Sequence, residues 1–535
     1  GNKIGSSCLV QPAVAWSTTC IMARTQDLGE LTTFAGCPEL LRGSRVATVL
    51  RHGGRILQDS SGNAATYKLS GVVTSIDAFV SHNWSVPRRT KFLCLALHFN
   101  LPVAAVVTLV VTVALSLLTA FGFVPVFQLS GWPAPRGFFL SVACIPTFLG
   151  ALLFASDFLS CWAHCDKVCF LDKTCIHQED RDVQRQGIQK LAAFLANSDS
   201  MVVCYTDVYL TKLWTVYELA SYLMLHSTRK LWVIPTMVPQ VVVFGLLLSY
   251  LATLVFIGLQ VFTGIEFLDL YATLLIAYAY FLASRSWARS RAAIYTGLEV
   301  FSCRACACSE EEDRPIVYAN IVALMKQVHG LAPDLSEAAA LDAFDDMVKL
   351  ELPKALSKSL GPFGLRYRHM LVISTLFLMP RCLDRNTGAF SYGLGARWSV
   401  VDVLYWTTLS VAILPAVMVT VDFVARRFLH LNGWREQLWL LLSYALMCVT
   451  AGGFIVPLTM LGRWGRGSDS KAAVFASTCL VLCGLTALLF LTPTLACSSR
   501  RSPMQRISGS AAEAAVGAVA AEAEVARPDG YTIYV

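Results

Sequence analysis

The feature that most constrains this chain is a gap in its charges: no Lys, Arg, Asp or Glu occurs between Lys91 and Arg136. A helix needs about 20 apolar residues to cross the hydrocarbon layer of a bilayer. Residues 101–122 and 138–156 supply two such stretches, and 238–262, 265–284, 403–421, 438–461 and 472–495 supply five more. The composition agrees, since 55% of the 535 residues are hydrophobic and 15% charged, with mean hydropathy +0.56. Soluble domains carry about a quarter charged residues. We therefore expect an α-helical multi-pass membrane protein of about seven spans, with the lipid bilayer as its first partner.

Residues 370–379 are apolar but about half the length a span needs, and Pro380 and Arg381 end them. They read as a re-entrant or interfacial segment, or as an eighth crossing. Seven spans leave Arg500 and Arg501 outside, and eight place Arg463 and Arg466 outside. Cationic residues collect before the first span (Arg88, Arg89, Lys91), after the second (Lys167, Lys173, Arg229, Lys230) and after the fourth (Arg285, Arg289, Arg291). By the positive-inside rule that side is cytoplasmic. The net charge of +7 then belongs to membrane-flanking loops, and no nucleic-acid partner is expected. No charge sits deep in any expected span, which favours an anchor and packing scaffold over a proton or ion pathway.

The 18 cysteines follow no secreted disulfide pattern, and several lie in apolar spans, where a thiol behaves as a small hydrophobe. Cys161, His164, Cys165 and Cys169 are metal-ligand types, but Cys169 falls in an expected buried strand, so no metal is expected there. Cys303, Cys306 and Cys308 follow a basic membrane exit, a setting for S-palmitoylation or for a plain reduced cluster. Residues 1–70 are mixed and polar, so we expect no signal peptide there and the first membrane helix to direct insertion. Residues 1–8 would resemble a myristoylation start, except that Gly5 stands where Ser or Thr is expected. Residues 309–360 read as an acidic, then helical, connector. Residues 496–535 have a disordered composition, ending in Ile533-Tyr534-Val535, which suits a PDZ-type groove.

Two polar stretches share one pattern. Residues 76–84 read as a short buried strand ending in a polar loop. Residues 168–236 alternate strands (168–171, 201–205, 231–234) with helices (184–197, 213–226), which implies parallel strands covered by helices. An even number of spans separates the two stretches, so both emerge on one side and the membrane hairpin becomes an insertion after the first strand. The resulting division is a polar region 1–75, a first strand and loop 76–91, a membrane hairpin 92–160, the rest of the α/β unit 161–236, a second hairpin 237–284, a helical connector 285–396, three spans 397–495 and the tail 496–535.

Asp77-Ala78-Phe79-Val80-Ser81-His82 resembles the opening box of Toll/interleukin-1 receptor (TIR) domains, and Phe170-Leu171-Asp172 resembles their second strand. Asn197 to Val203, Tyr209 and Trp214-Thr215-Val216-Tyr217-Glu218-Leu219 resemble the family's serine strand, tyrosine and Trp-x-x-x-Glu-Leu stretch. Cys175 to Asp180 is similar to the related fungal heterokaryon-incompatibility domain. The likeness covers about 80 residues of 535. The family's Pro-Gly loop, fifth strand and final Phe-Trp box are absent. The resemblance implies a small flavodoxin-like α/β cytoplasmic domain that assembles with copies of itself. It also implies that Glu218 stands where the family's catalytic carboxylate cleaves NAD at the nicotinamide–ribose bond. Such a carboxylate stabilises an oxocarbenium-like transition state. NAD would then be a substrate, with no cofactor required. Trp84 or Trp214 would stack on the base, and Ser81, His82 and Asp172 would line the ribose and phosphates. Three functions follow as expectations: a membrane-anchored signalling and assembly protein, an NAD nucleosidase, or a channel or transporter gated by its α/β unit.

Overall fold

The computed structural model describes residues 32–128, 135–158, 167–206, 208–226, 230–262, 268–308, 311–328, 335–360, 366–393, 396–427 and 433–499. The N-terminal myristoyl-like start, Cys161, His164, Cys165 and the tail from Arg500 lie outside these residues.

Six strands form one sheet: β1 (Arg42–Arg45), β2 (Ser70–Val72), β3 (Ala78–Ser81), β4 (Val168–Phe170), β5 (Ser200–Tyr205) and β6 (Lys230–Pro235). Their order is β2-β1-β4-β3-β5-β6, with β4, β3, β5 and β6 parallel and β1 and β2 antiparallel at one edge. Phe79 pairs with Met201, Val80 with Val202 and Ser81 with Val203. The two stretches separated by the membrane hairpin therefore lie side by side in one sheet. Every residue of β3 is buried, as expected of a parallel strand covered on both faces.

The helices, in chain order, are α1 (Val46–Gly54), α2 (Arg88–Phe99), α3 (Leu101–Ala120), α4 (Phe139–Phe158), α5 (Arg181–Gln189), α6 (Leu191–Ala196), α7 (Leu213–Leu225), α8 (Met237–Phe262), α9 (Leu268–Glu299), α10 (Arg314–Val328), α11 (Glu337–Leu360), α12 (Tyr367–Ser391), α13 (Ala396–Thr408), α14 (Leu414–Arg427), α15 (Trp434–Gly465) and α16 (Asp469–Ser499). One face of the sheet packs on α1 and α2 through Val46, Val49, Leu50, Phe92 and Leu95 against Val80, Val202 and Cys204. The other face packs on α6, α7, α10 and α11 through Phe194, Val216, Val317, Ile321, Phe344 and Val348. Phe79 stacks on Phe170 at 4.5 Å and Phe170 meets Phe194 at 4.5 Å, an aromatic run worth more than its buried area alone.

Three expectations change here. Residues 42–72 are not an outlying polar region, because they form the antiparallel sheet edge and α1. The connector is a layer of the α/β unit, since α10 and α11 cover its sheet. The helix expected over 184–197 breaks at Lys190 into α5 and α6, with Asp180 capping α5 by accepting from Asp182 N at 3.0 Å and Val183 N at 3.2 Å.

The remaining helices pack into a bundle. Among the described residues, five helices are long and apolar enough to cross a membrane: Leu101–Ala120, Phe139–Phe158, Met237–Gly258, Arg397–Arg427 and Asp469–Leu488. That is five where the charge gaps led us to expect seven; the other two expected spans fall on α9 and α15, which are described only in part. Residues 370–379 are no half-length segment. They belong to α12, which continues through Pro380. Near its start Met370 and Ile373 pack with Leu97, Leu152 and Val238 close to the sheet. Near its end Asp384 accepts from Leu140 N at 3.1 Å and Ser141 N at 2.8 Å, at the far end of the hairpin.

The bundle also holds charges that the spacing of apolar runs concealed. Asp402, fully buried, pairs with Arg385 at 3.5 Å and Arg466 at 3.1 Å. Asp422 pairs with Arg291 at 3.0 Å and Arg426 at 2.9 Å, and Glu436 with Arg285 at 3.2 Å and Arg289 at 2.5 Å. Each of these carboxylates has a cation beside it, which lowers the cost of removing it from water.

Candidate functional site

In open parallel sheets, ligands bind beyond the carboxyl ends of the strands, where strand order reverses. That reversal lies at β3, flanked by β4 and β5. The chain leaving β3 carries Ser81, His82, Asn83 and Trp84, and the chain leaving β4 carries Asp172 and Lys173 on a single helical turn. The helix α7 brings Glu218 to the same end.

Ser81 Oγ donates to Glu218 Oε2 at 2.5 Å and lies 2.5 Å from the Tyr209 hydroxyl. With Glu218 ionised, the chain of donors runs from Tyr209 to Ser81 to the carboxylate. Glu218 keeps some solvent exposure, but its carboxyl is set among packed atoms. Burial, with a smaller push from the Asp172 charge and opposed by the Ser81 hydrogen bond, lifts it to about 8. Burial and then the nearby Glu218 also raise the Tyr209 phenol.

A second group centres on Trp84, whose Nε1 donates to Asp172 Oδ2 at 2.7 Å. His82 meets the indole edge-on at 4.4 Å, and the Lys91 ammonium sits 4.4 Å from the ring centroid. Lys173 lies 5.7 Å from the same centroid and donates to the carbonyl and carboxylate of Asp59, each at 2.9 Å. Lys91 is wholly buried, and burial lowers its amine to about 8. His82 is buried too, and burial brings its ring down to about 4, with Asp172 opposing and Lys91 assisting. Lys91 Nζ, Asn83 Nδ2 and the ring nitrogens of His82 have no well-formed hydrogen bond among the described residues.

Scans against protein-family models, curated proteins and solved structures return no match. The geometry therefore carries the functional reading.

The structure brings Ser81 to Glu218, and His82 and Trp84 to Asp172. It does not bring Trp214 to them. That side chain, one turn before Glu218, packs edge-on to Tyr217 at 6.1 Å against the helical layer. At Trp84, Lys91 stands near the indole and the Asp172 hydrogen bond fixes the ring. Of Cys303, Cys306 and Cys308, read as an acylation site or a plain reduced cluster, the first two are enclosed. Cys303 and Cys306 are buried in the core shared with α7, α10 and α11, and Cys303 N donates to Asp345 Oδ1 at 2.8 Å. Burial raises both thiols, Cys306 to about 11, so neither offers a thiolate to an acyl donor. Cys308 keeps partial exposure. Cys169, of the metal-like set, is buried in β4.

Lys91 and Asp59 were not legible as site residues. Lys91 reads as one of three cations flanking a span. Its signal was helical spacing: residues 91, 94, 95 and 98 share a face with the buried Cys94 and Leu95.

Proposed function

We propose that the chain is a membrane-anchored signalling protein whose cytoplasmic α/β unit is TIR-like and assembles with copies of itself. The observation that carries this reading is the Ser81–Glu218 hydrogen bond. It joins the strand before the membrane hairpin to the helix after it, at the positions the family resemblance assigns. The parallel order β4-β3-β5-β6 is that of a flavodoxin-like sheet, which supports the same reading. The test is a stepwise photobleaching count of the full, fluorescently tagged chain in phosphatidylcholine vesicles. Clusters whose copy number grows with protein density are expected; single copies at every density would end the assembly reading.

A second reading is favoured by Glu218 itself: a carboxyl set among packed atoms on a half-buried residue, held by a serine at the carboxyl ends of parallel strands, suits cleavage of a nicotinamide–ribose bond. Here NAD is substrate, Glu218 faces the developing positive charge once ionised, which its raised value of about 8 places at mildly alkaline pH, and Ser81 and Tyr209 position it. Detergent-purified full chain would release nicotinamide from NAD, and Glu218→Ala would lose that release. Absence of release, or release indifferent to the substitution, removes the enzyme from consideration.

The membrane topology belongs to this proposal. We read eight crossings, by α3, α4, α8, α9, α12, the α13–α14 pair, α15 and α16, with the sheet on the cytoplasmic side.

A further inference from the structure

Lys91 lies fully buried on α2, and its Nζ has no hydrogen-bond partner among the described residues. Buried charges are ordinarily paired, because an ammonium taken out of water without a partner is costly. Two carboxylates act on Lys91 through space, and both are held by other donors. Asp172 Oδ2 accepts from Trp84 Nε1 and its Oδ1 from Lys173 N, each at 2.7 Å. Asp59 Oδ1 accepts from Lys173 Nζ at 2.9 Å and from Ser61 N at 3.1 Å. Asn83 adds a second free donor. Its Oδ1 accepts from Ser85 N at 2.9 Å and Ser85 Oγ at 3.0 Å, while its buried Nδ2 has no acceptor among the described residues.

We propose that Lys173, Lys91 and Asn83 form a binding site for the phosphate of a nucleotide, and that the Asp59 carboxylate occupies it as an internal stand-in.

Asp59 marks where an anion is held. Lys173 Nζ donates to its carboxylate and to its carbonyl, each at 2.9 Å. The Lys173 side chain is 6% exposed and that of Asp59 56%, so the cation lies below and the anion on the solvent side. A phosphate reaches that place without entering the core. The hydrogen bond and charge of Lys173, with smaller help from Ser61 N and Lys91, hold the Asp59 carboxyl below its ordinary value. Both lysines therefore act on whatever anion stands there. They also border one ring, with Lys91 Nζ 4.4 Å and Lys173 Nζ 5.7 Å from the Trp84 centroid.

A phosphate suits this arrangement better than a carboxylate does. It carries more charge and more acceptor oxygens. It can replace Asp59 on Lys173 and still supply the negative charge and acceptors that Lys91 and Asn83 lack. Position selects a nucleotide as its source. These residues leave β3 and β4 at the sheet end where Ser81 meets Glu218, and such ends take nucleotides in open parallel sheets. The inference rests on the nucleotide reading of that end for the ligand's class, and it requires no cleavage.

The experiment is isothermal titration calorimetry of the full chain in neutral detergent, with ADP-ribose, adenosine or inorganic pyrophosphate. ADP-ribose is expected to bind at least tenfold more tightly than adenosine. Lys91→Met is expected to lose at least tenfold of that affinity. Asp59→Ala, which removes the competing carboxylate at an exposed position, is expected to gain threefold or more. No binding of either phosphate compound, adenosine as tight as ADP-ribose, or variants that bind like the parent overturn the proposal. Pyrophosphate binding without ADP-ribose binding supports the phosphate site and rejects the nucleotide as its source. ADP-ribose binding by a chain that releases no nicotinamide from NAD supports the site while the enzyme reading fails. If Lys91→Met does not fold, Asp59→Ala decides: tighter binding supports the site, and unchanged or weaker binding ends it.

Discussion

Glu218 holds a proton at neutral pH that its unfolded counterpart gives up. Its ordinary value is near 4.5 and its folded value about 8. Between those values the folded chain binds the extra proton, so stability falls as pH rises through the window and levels off above it. Glu218→Gln is neutral in both states and escapes that penalty. Its melting temperature relative to the parent should climb from pH 5 to pH 8.5, and a difference flat across that range would show that burial does not hold the proton. Ser81→Ala should act oppositely near neutral pH. It removes the donor to Glu218 and the neighbour of Tyr209, at about 1–3 kcal/mol for buried polar groups left unmatched, read by chemical denaturation. Ser81, Asp172 and Glu218 were legible because motif and strand end coincide. What Trp214 packs against was not legible, because four-residue spacing fixes a helix face but not what that face meets. Lys91 was hidden because a cation before a span reads as a topology signal before it reads as a buried amine.

At the scale of elements, the parallel strands declared themselves through continuous apolar runs, and α7 through its stripe. The β1–β2 hairpin did not. Arg42-Gly43-Ser44-Arg45 has no apolar alternation, and it is held by polar contacts: Ser44 Oγ donates to Thr174 Oγ1 at 2.8 Å and Ser70 Oγ to the Thr174 carbonyl at 2.7 Å. Nor did α12, because Pro380 and Arg381 read as a stop. Within a bundle, neighbouring helices and side chains satisfy groups that proline frees, so a helix passes through it. Two residues lock α12 to the α3–α4 hairpin. Asp384 accepts from the first turn of α4, and a Cβ on Gly388 would stand 2.5 Å from the Pro135 carbonyl oxygen and 2.9 Å from Arg136 Cα. These are backbone atoms that cannot swing aside. Gly388→Val should therefore cost several kcal/mol, on the scale of overpacked cores, and Asp384→Ala about 1–2 kcal/mol, as for a lost cap. Thermal melting of the detergent-purified chain checks both, and a Gly388→Val protein as stable as the parent would contradict the packing of α12 on that loop.

At the scale of the whole molecule, the open question from the sequence was whether seven or eight crossings place the ends correctly. Eight put Arg463 and Arg466 on the far side, against the charge rule; the eight-crossing reading we propose would leave Arg466 there paired with acid. Arg466 and Arg385 converge on the buried Asp402, and Arg397 pairs with Asp469, so much of the far-side cationic charge is matched by acid. The sheet-side end has its own pairs at Asp422 and Glu436. It also has the sheet, which cannot form unless β3 and β4 emerge together. Single reporter cysteines in a background cleared of reactive thiols, probed with a membrane-impermeant maleimide in sealed vesicles, test the arrangement. Ser60, Glu179 and a residue of the C-terminal tail should label from one side, and Phe123 and Gly467 from the other. Ser60 and Glu179 on opposite sides would dismantle the shared sheet. A tail that labels with Phe123 would instead leave the sheet standing and reduce the crossings by one, moving α12 or α16 out of the bilayer.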